Sequence, residues 1–134
     1  MSILAIDAGT TGVTALIVSD QGEIIARGYQ EFPQYFPHPG WVEHEPEEIW
    51  QAALAACKLA IGDADSEISC IGITNQRETA VIWDRNDLSS PTKAIVWQDR
   101  RTSIYKDELD QKNTDDWIRT KTGLNIDPYF TASK

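Results

Sequence analysis

Two clusters of side chains carry the chemical content of this sequence. The first is Asn75-Gln76-Arg77-Glu78, which ends an apolar, β-branched run starting at Ile68. Arginine presents a planar fork of five donors and glutamate two acceptor oxygens. Adjacent Arg77 and Glu78 can therefore grip neighbouring hydroxyls of a small polyol, one donating and the other accepting. The same pair can equally be a solvated ion pair at a strand end, where such pairs contribute little. The second cluster is Asp7-Ala8-Gly9-Thr10-Thr11-Gly12. Gly9 permits close backbone approach or a positive φ, successive turn amides with the Thr10 and Thr11 hydroxyls can form a concave anion site, and Asp7 can order a divalent metal or its waters. A hairpin turn capped by an aspartate has the same composition. Two aromatic residues extend the set. Trp97, closing Ala94-Ile95-Val96, can offer a flat wall to the carbon side of a polyol, and Tyr129 can offer a phenol; each is also at home packed in a core.

The elements that must hold these residues follow from pattern and punctuation. Ile3 to Asp7 reads as a fully buried strand, Val13 to Ser19 as a second, and Glu23 to Phe32 as a third after the turn Asp20-Gln21-Gly22. Short turns joining three strands in series imply an antiparallel meander. Phe32 to Glu45 is an aromatic, proline-bearing loop expected to pack over one sheet end. Pro46 opens a helix with Glu47 and Glu48 at its positive end. Ile49, Trp50, Ala53, Leu54, Cys57, Ala60 and Ile61 recur at helical spacing as its core face, and Gly62 stops it. Ile68 to Thr74 is then a buried strand parallel to one of the meander, reached by a right-handed crossover. Thr79 to Trp83 is a fifth run and Ala94 to Trp97 a further short strand. Thr102 to Lys112 reads as a helix with a thin stripe of Ile104, Tyr105 and Leu109, and Thr114 caps a second short helix that Gly123 ends.

Composition narrows the function classes. A chain of 134 residues with 41% hydrophobic content suits one domain with a real core. A formal net charge of −9 argues against nucleic acid and against a basic membrane patch, but local backbone dipoles still allow a phosphate ligand. No secretory leader and no run of membrane-spanning length is evident, so a cytoplasmic location is expected. Cys57 and Cys70 read as small buried apolar residues, not as a disulfide or metal pair. His38 and His44 lack a partner at ligand spacing.

Several segments run in one order through the whole chain. They are Asp7-Ala8-Gly9-Thr10-Thr11, Phe32-Pro33-Gln34, Pro39-Gly40-Trp41-Val42-Glu43-His44, Glu48-Ile49-Trp50, Gly72 to Thr79, Ala94 to Arg101, Thr122-Gly123-Leu124 and Asp127-Pro128-Tyr129-Phe130. Together they closely resemble the N-terminal part of the FGGY family of carbohydrate kinases. Asn75-Gln76-Arg77-Glu78-Thr79 and Trp97-Gln98-Asp99-Arg100-Arg101 point to its glycerol-phosphorylating members. The resemblance implies an α/β fold of the ribonuclease-H-like (actin/hexokinase) type. Its mixed sheet would combine the three-strand meander with parallel strands and flanking helices, and residues 1–134 would be the N-terminal part of the first domain, an incomplete domain. It implies ATP-dependent phosphorylation of glycerol to glycerol 3-phosphate with Mg2+, by an enzyme that forms homo-oligomers.

Position by position, Arg77 and Glu78 match the residues that bind the glycerol hydroxyls, Tyr129 a third contact and Trp97 the apolar wall. Thr10, Thr11 and the Gly12 amide match phosphate contacts, and Asp7 a position near magnesium and the transferring phosphoryl. The family's catalytic aspartate and its adenosine-holding domain are expected after Lys134, so these residues alone are expected to give no turnover. The phosphate turn departs from the family pattern, with Thr14 standing where a basic residue is usual. A kinase for another polyol or ketose such as xylulose, or a non-catalytic actin-like or sugar-binding module, are the alternatives.

Overall fold

A computed structural model describes residues 1–62, 64, 67–111 and 114–134. The chain falls into two compact units. Unit 1 comprises Met1–Gln34 with Glu45–Gln76, and unit 2 comprises Tyr35–His44 with Arg77–Lys134.

Unit 1 is a sheet covered by a helix. Its strands are β1 (Ser2–Ala8), β2 (Gly12–Ser19), β3 (Ile24–Glu31) and β5 (Ile68–Asn75), and its helix is α1 (Pro46–Gly62). The order is β3-β2-β1-β5, with β1 antiparallel to β2, β2 antiparallel to β3, and β5 parallel to β1. The meander and the parallel return strand expected from the sequence are both present. Alternation in β2 places Val13, Ala15 and Ile17 in the core with Leu4 of β1 and Ala26 of β3.

The helix begins and ends where proline and glycine indicate, but its buried face is rotated from the expected stripe. Ala52, Ala56 and Ala60 are buried, whereas Trp50 is 56% exposed and Ile61 45%. The cause is a close approach between helix and sheet. A Cβ at Gly28 of β3 would collide with the Ala56 carbonyl, so the helix backbone rests almost on the strand and only alanine fits the seam. Ile49, Ala53 and Cys57 flank that seam. Burial pushes the Cys57 thiol up from its ordinary pKa.

Two strands are less buried than their composition implies. In β1, Ile3 and Asp7 are exposed, because α1 covers one face of the sheet and the other stays open. In β5, every residue after Ile68 is exposed, Ile71 at 60% and Ile73 at 74%. Ile71 and Ile73 are in register with Leu4 and Ile6, on the helix side of the sheet, but α1 lies mainly over β3 and β2 and contacts β1 only weakly. Cys70 is likewise exposed, not buried.

Unit 2 holds β4 (Glu43–His44) paired antiparallel with β6 (Ala94–Ile95), then α2 (Ser103–Gln111), α3 (Thr114–Thr122) and a 3-10 turn, Thr131–Ser133. The expected strand over Thr79 to Trp83 reduces to one bridge, Ala80 with Ile95. A partner strand of two residues already paired with β4 has one position to offer, and Ile82 and Trp83 are left exposed. Ile104 and Tyr105 of α2 are also exposed rather than core. The helix end placed at Lys112 and the cap placed on the Thr114 side chain lie outside the described residues and side chains.

The Gly28 seam is testable. Gly28→Ala should lower unfolding free energy by roughly 3 kcal/mol through overpacking. Gly62→Ala, where an added Cβ meets nothing within 4 Å, should stay within about 0.5 kcal/mol of the parent. Urea titrations followed by far-UV circular dichroism compare the two; equal midpoints would remove the seam from the account.

Candidate functional site

In unit 2 the polar end of the mid-chain apolar run turns sharply. Arg77 has φ 37° and Glu78 φ 55°. Two consecutive left-handed residues, neither of them glycine or asparagine, cost about 1–2 kcal/mol each and persist only where surrounding contacts determine them. Those contacts come from the segment after α3. The Thr131 backbone N–H and hydroxyl donate to Glu78 Oε2 at 2.9 and 3.0 Å. Lys134 Nζ donates to the Glu78 carbonyl at 2.9 Å and to the Tyr129 carbonyl at 2.8 Å. The hydrogen bonds from Thr131, ahead of the charges of Lys134 and Arg77, hold the Glu78 carboxyl below its ordinary pKa.

Tyr129 is fixed from both sides. Its N–H donates to Asp127 Oδ1 at 2.8 Å, and Arg100 pairs with that oxygen at 3.2 Å. Its ring stands edge-on to Trp97 with centroids 5.7 Å apart, and to Phe130 at 5.1 Å. Glu78, Tyr129 and Trp97 thus converge on one part of unit 2. Arg77 sits beside Glu78 on the same turn with an exposed side chain.

Trp97 is positioned by a buried ionic network that the residue pattern alone does not indicate. Asp99 is 1% exposed. Its Oδ2 accepts from the Val42 N–H at 2.7 Å, and its Oδ1 accepts from the Arg101 N–H at 2.8 Å and Nε at 2.9 Å. Arg101 Nη2 reaches Asp99 Oδ2 at 2.9 Å and Glu43 Oε1 at 2.7 Å, and its guanidinium lies 3.7 Å from the Trp41 ring centroid. The Val96 N–H donates to the Val42 carbonyl at 3.0 Å, and the Arg100 N–H to the Gly40 carbonyl at 2.8 Å. The Trp97–Arg101 segment is therefore bolted to Gly40–Glu43. Burial opposes charge on Asp99, but hydrogen bonds from Arg101 and Val42 outweigh it and keep the carboxyl below its usual range. The only sequence signal was composition: Trp41, Glu43, Asp99 and Arg101 are the residue types of a bidentate, ring-stacked pair.

In unit 1, the N-terminal turn joins β1 to β2. Gly12 is buried against β3, where an added Cβ would lie 2.7 Å from both the Gln30 carbonyl and the Tyr29 hydroxyl oxygens. Gly9 serves close approach to the Gly12 carbonyl, at 3.1 Å from a built Cβ, and not a positive φ. Thr10 is half-buried and Thr11 exposed. Strand register sets Tyr29, Thr14, Asp7 and Thr74 side by side across β3, β2, β1 and β5. Asp7, Thr14 and Thr74 line a shallow hollow of about 380 Å³ on the sheet face not covered by α1, floored by Ala5, Leu16 and Gly72. Among the described residues no group of three His, Cys, Asp or Glu side chains could by itself hold a metal.

The Asp99 network yields a pH-dependent expectation. A carboxyl whose folded-state pKa is depressed contributes stability in full above its unfolded value, near 4, and loses it as pH falls through the folded one. Asp99→Asn should lower stability by roughly 3 kcal/mol at pH 7, since Arg101 loses its buried partner. The gap to the parent should narrow as pH falls below about 4 and through the depressed folded-state value. Denaturant midpoints at pH 7 and pH 3 measure it; a gap independent of pH would show that the carboxylate charge plays no part.

Comparison with known proteins agrees with this architecture. Residues 2–134 match the N-terminal domain of the FGGY family of carbohydrate kinases. A curated glycerol kinase from Parabacteroides distasonis is 51% identical over 135 aligned positions, which cover 98% of this chain and 27% of that protein. The crystal structure of Plasmodium falciparum glycerol kinase with ADP superposes with a TM-score of 0.90 at 34% identity, covering 98% of this chain and 27% of that one. A ligand-bound xylulose kinase from Lactobacillus acidophilus has a TM-score of 0.89 at 21% identity, covering 96% and 26%, and shows the shared fold alone. The chain spans about a quarter of the length of these relatives.

Proposed function

The chain belongs to the FGGY family of carbohydrate kinases, and from that premise we propose that it is the N-terminal part of the first domain of a glycerol kinase, an enzyme that moves the γ-phosphoryl group of ATP to a terminal hydroxyl of glycerol. The observation that carries this reading is the fixed Glu78 carboxylate beside Tyr129 and Trp97. Glu78 accepts hydrogen bonds from acceptor hydroxyls, Arg77 donates to their oxygens, the Tyr129 phenol makes a third polar contact, and the Trp97 ring covers the carbon skeleton. A three-carbon alcohol exposes a hydroxyl on every carbon, so a donor–acceptor pair backed by one flat ring matches its chemistry. The identity to glycerol kinases along nearly the whole chain supports glycerol over other acceptors.

In the reaction, the terminal hydroxyl oxygen of glycerol bonds to the γ-phosphorus as the bond to the β–γ bridging oxygen breaks. ADP leaves, and the hydroxyl proton passes to a base outside these residues. Such transfer is governed by positioning and charge stabilisation. Thr10, Thr11 and the Gly12 amide contact the phosphates. Mg2+ is commonly held by one or two carboxylates together with phosphate oxygens and waters. Asp7, an exposed carboxylate with the Thr14 and Thr74 hydroxyls as row neighbours, fits that donor set. Mg2+ held near Asp7, directly or through its waters, would neutralise phosphate charge.

ATP as phosphoryl donor supports a cytoplasmic location for the enzyme. Among the described residues no helix is long and apolar enough to cross a membrane. Thr14, where a basic residue is usual, favours a second reading in which the acceptor is another polyol or a ketose.

The test uses the full-length protein with glycerol, xylulose and gluconate as acceptors. Glycerol should be preferred. Arg77→Ala and Glu78→Gln should each lower kcat/KM for glycerol by about 10- to 150-fold, the loss of one charge-assisted hydrogen bond, while KM for ATP stays within about twofold. Unchanged glycerol kinetics in both variants would refute the assignment of the pair.

A further inference from the structure

We infer that Thr131 and Lys134 are positioning residues for the acceptor-binding carboxylate: Lys134 holds the left-handed turn at Glu78, and Thr131 aims one oxygen of that carboxylate by occupying the other. The inference rests on the reading of Glu78 as a hydroxyl acceptor and adds the two residues that make it one.

Three features of the geometry carry it. First, Thr131 brings two donors to the same atom, with its N–H and hydroxyl both on Glu78 Oε2. A carboxylate oxygen has two lone-pair sites, so Oε2 is filled. Among the described residues Oε1 has no hydrogen-bond partner and is the atom left to accept from a ligand hydroxyl. Second, Lys134 Nζ spans the carbonyls of Glu78 and Tyr129 at 2.9 and 2.8 Å. It thereby ties two of the proposed glycerol contacts to one another through a single ammonium. Third, the Glu78 turn is left-handed at a residue that does not favour it, and the Lys134 bond is made to the carbonyl of that same residue. Without it the turn can relax and carry the carboxylate away from Tyr129.

The surrounding charges fit this division of labour. The cations that act on Glu78 are Lys134 and Arg77. Lys134 feels burial first, which lowers its pKa, then Glu78, Asp99, Arg100 and Asp127. The Thr131 N–H makes the leading contribution that holds the Glu78 carboxyl down and the Thr131 hydroxyl the next, so a variant lacking the hydroxyl leaves the cations and the backbone donor in place and changes only the carboxylate's side-chain hydrogen bond. Thr131 is exposed and its hydroxyl bonds only Glu78 among the interactions described. A valine at this position keeps the shape and the backbone donor.

The experiment compares parent, Thr131→Val, Thr131→Ser and Lys134→Met in the full-length enzyme. Thr131→Val should raise KM for glycerol about tenfold, with KM for ATP and the melting temperature close to the parent, and Thr131→Ser should restore it. In Thr131→Val the acid limb of kcat/KM for glycerol should also move to higher pH, because the carboxyl has lost a bond that favours its charged form. Lys134→Met should raise KM for glycerol by at least as much, again without a matching change in KM for ATP.

A purely structural role would instead lower the melting temperature and the active fraction, scaling kcat alone and leaving the acid limb in place. That result, or parental KM for glycerol in both Thr131→Val and Lys134→Met, overturns the inference. If the parent phosphorylates a different polyol in preference to glycerol, the functional reading falls. The positioning claim is then judged by the same variants on the polyol that is used.

Discussion

A charge kept out of water governs the arrangement of unit 2. Asp99 is all but inaccessible, and its two oxygens accept from the Val42 N–H and from three donors of Arg101. A buried carboxylate is tolerated only when its partners are in place, so any shift of the Trp97–Arg101 segment relative to Gly40–Glu43 is penalised at several bonds at once. That is why a two-residue strand pairing, β4 with β6, suffices to hold these segments together. Trp97 inherits its place from this network, and Tyr129 takes its place against Trp97 and under Asp127. The candidate site is a hierarchy in which a buried ion pair fixes the Trp97 ring and that ring backs the residues proposed to bind hydroxyls.

Unit 1 is held by the opposite device, the absence of a side chain. Gly28 lets the Ala56 backbone reach the sheet, and the alanine seam of Ala52, Ala56 and Ala60 follows from it. Close backbone packing excludes large residues from the contact and pushes Trp50 and Ile61 outward. The same placement leaves the β5 side of the sheet uncovered by α1, so that Ile71 and Ile73 are exposed despite a composition suited to burial on both faces.

Local signals in the sequence were sufficient for the elements whose ends carry punctuation. Pro46 and Gly62 bracket α1, Gly22 turns β2 into β3, and alternation in Gly12–Ser19 separates its two faces. Signals of that kind concern one segment at a time. They failed where the outcome depended on another segment. Which face of α1 is buried is decided by Gly28, and how far the run after Thr79 can pair is decided by the length of β6. The Glu78 clamp joins residues more than fifty positions apart, and neither Arg77 nor Glu78 announces a left-handed backbone. The residue types of the candidate site are legible in the sequence; the groups that orient them are not.

The row Tyr29–Thr14–Asp7–Thr74 sets a further condition on the proposed chemistry. It contains one carboxylate and no basic side chain. A triphosphate brought to that face meets like charge at Asp7, and threonine at position 14 removes the side-chain cation that would offset it. Backbone amides at the Gly9–Gly12 turn contribute partial positive charge, but amides alone leave the carboxylate–phosphate repulsion in place. In the proposed reaction a divalent cation held near Asp7 would offset that repulsion. The acidic row and the threonine at position 14 are then two aspects of one feature: this row offers no side-chain cation to a phosphate, and the proposed chemistry would draw its neutralisation from the metal that accompanies the nucleotide.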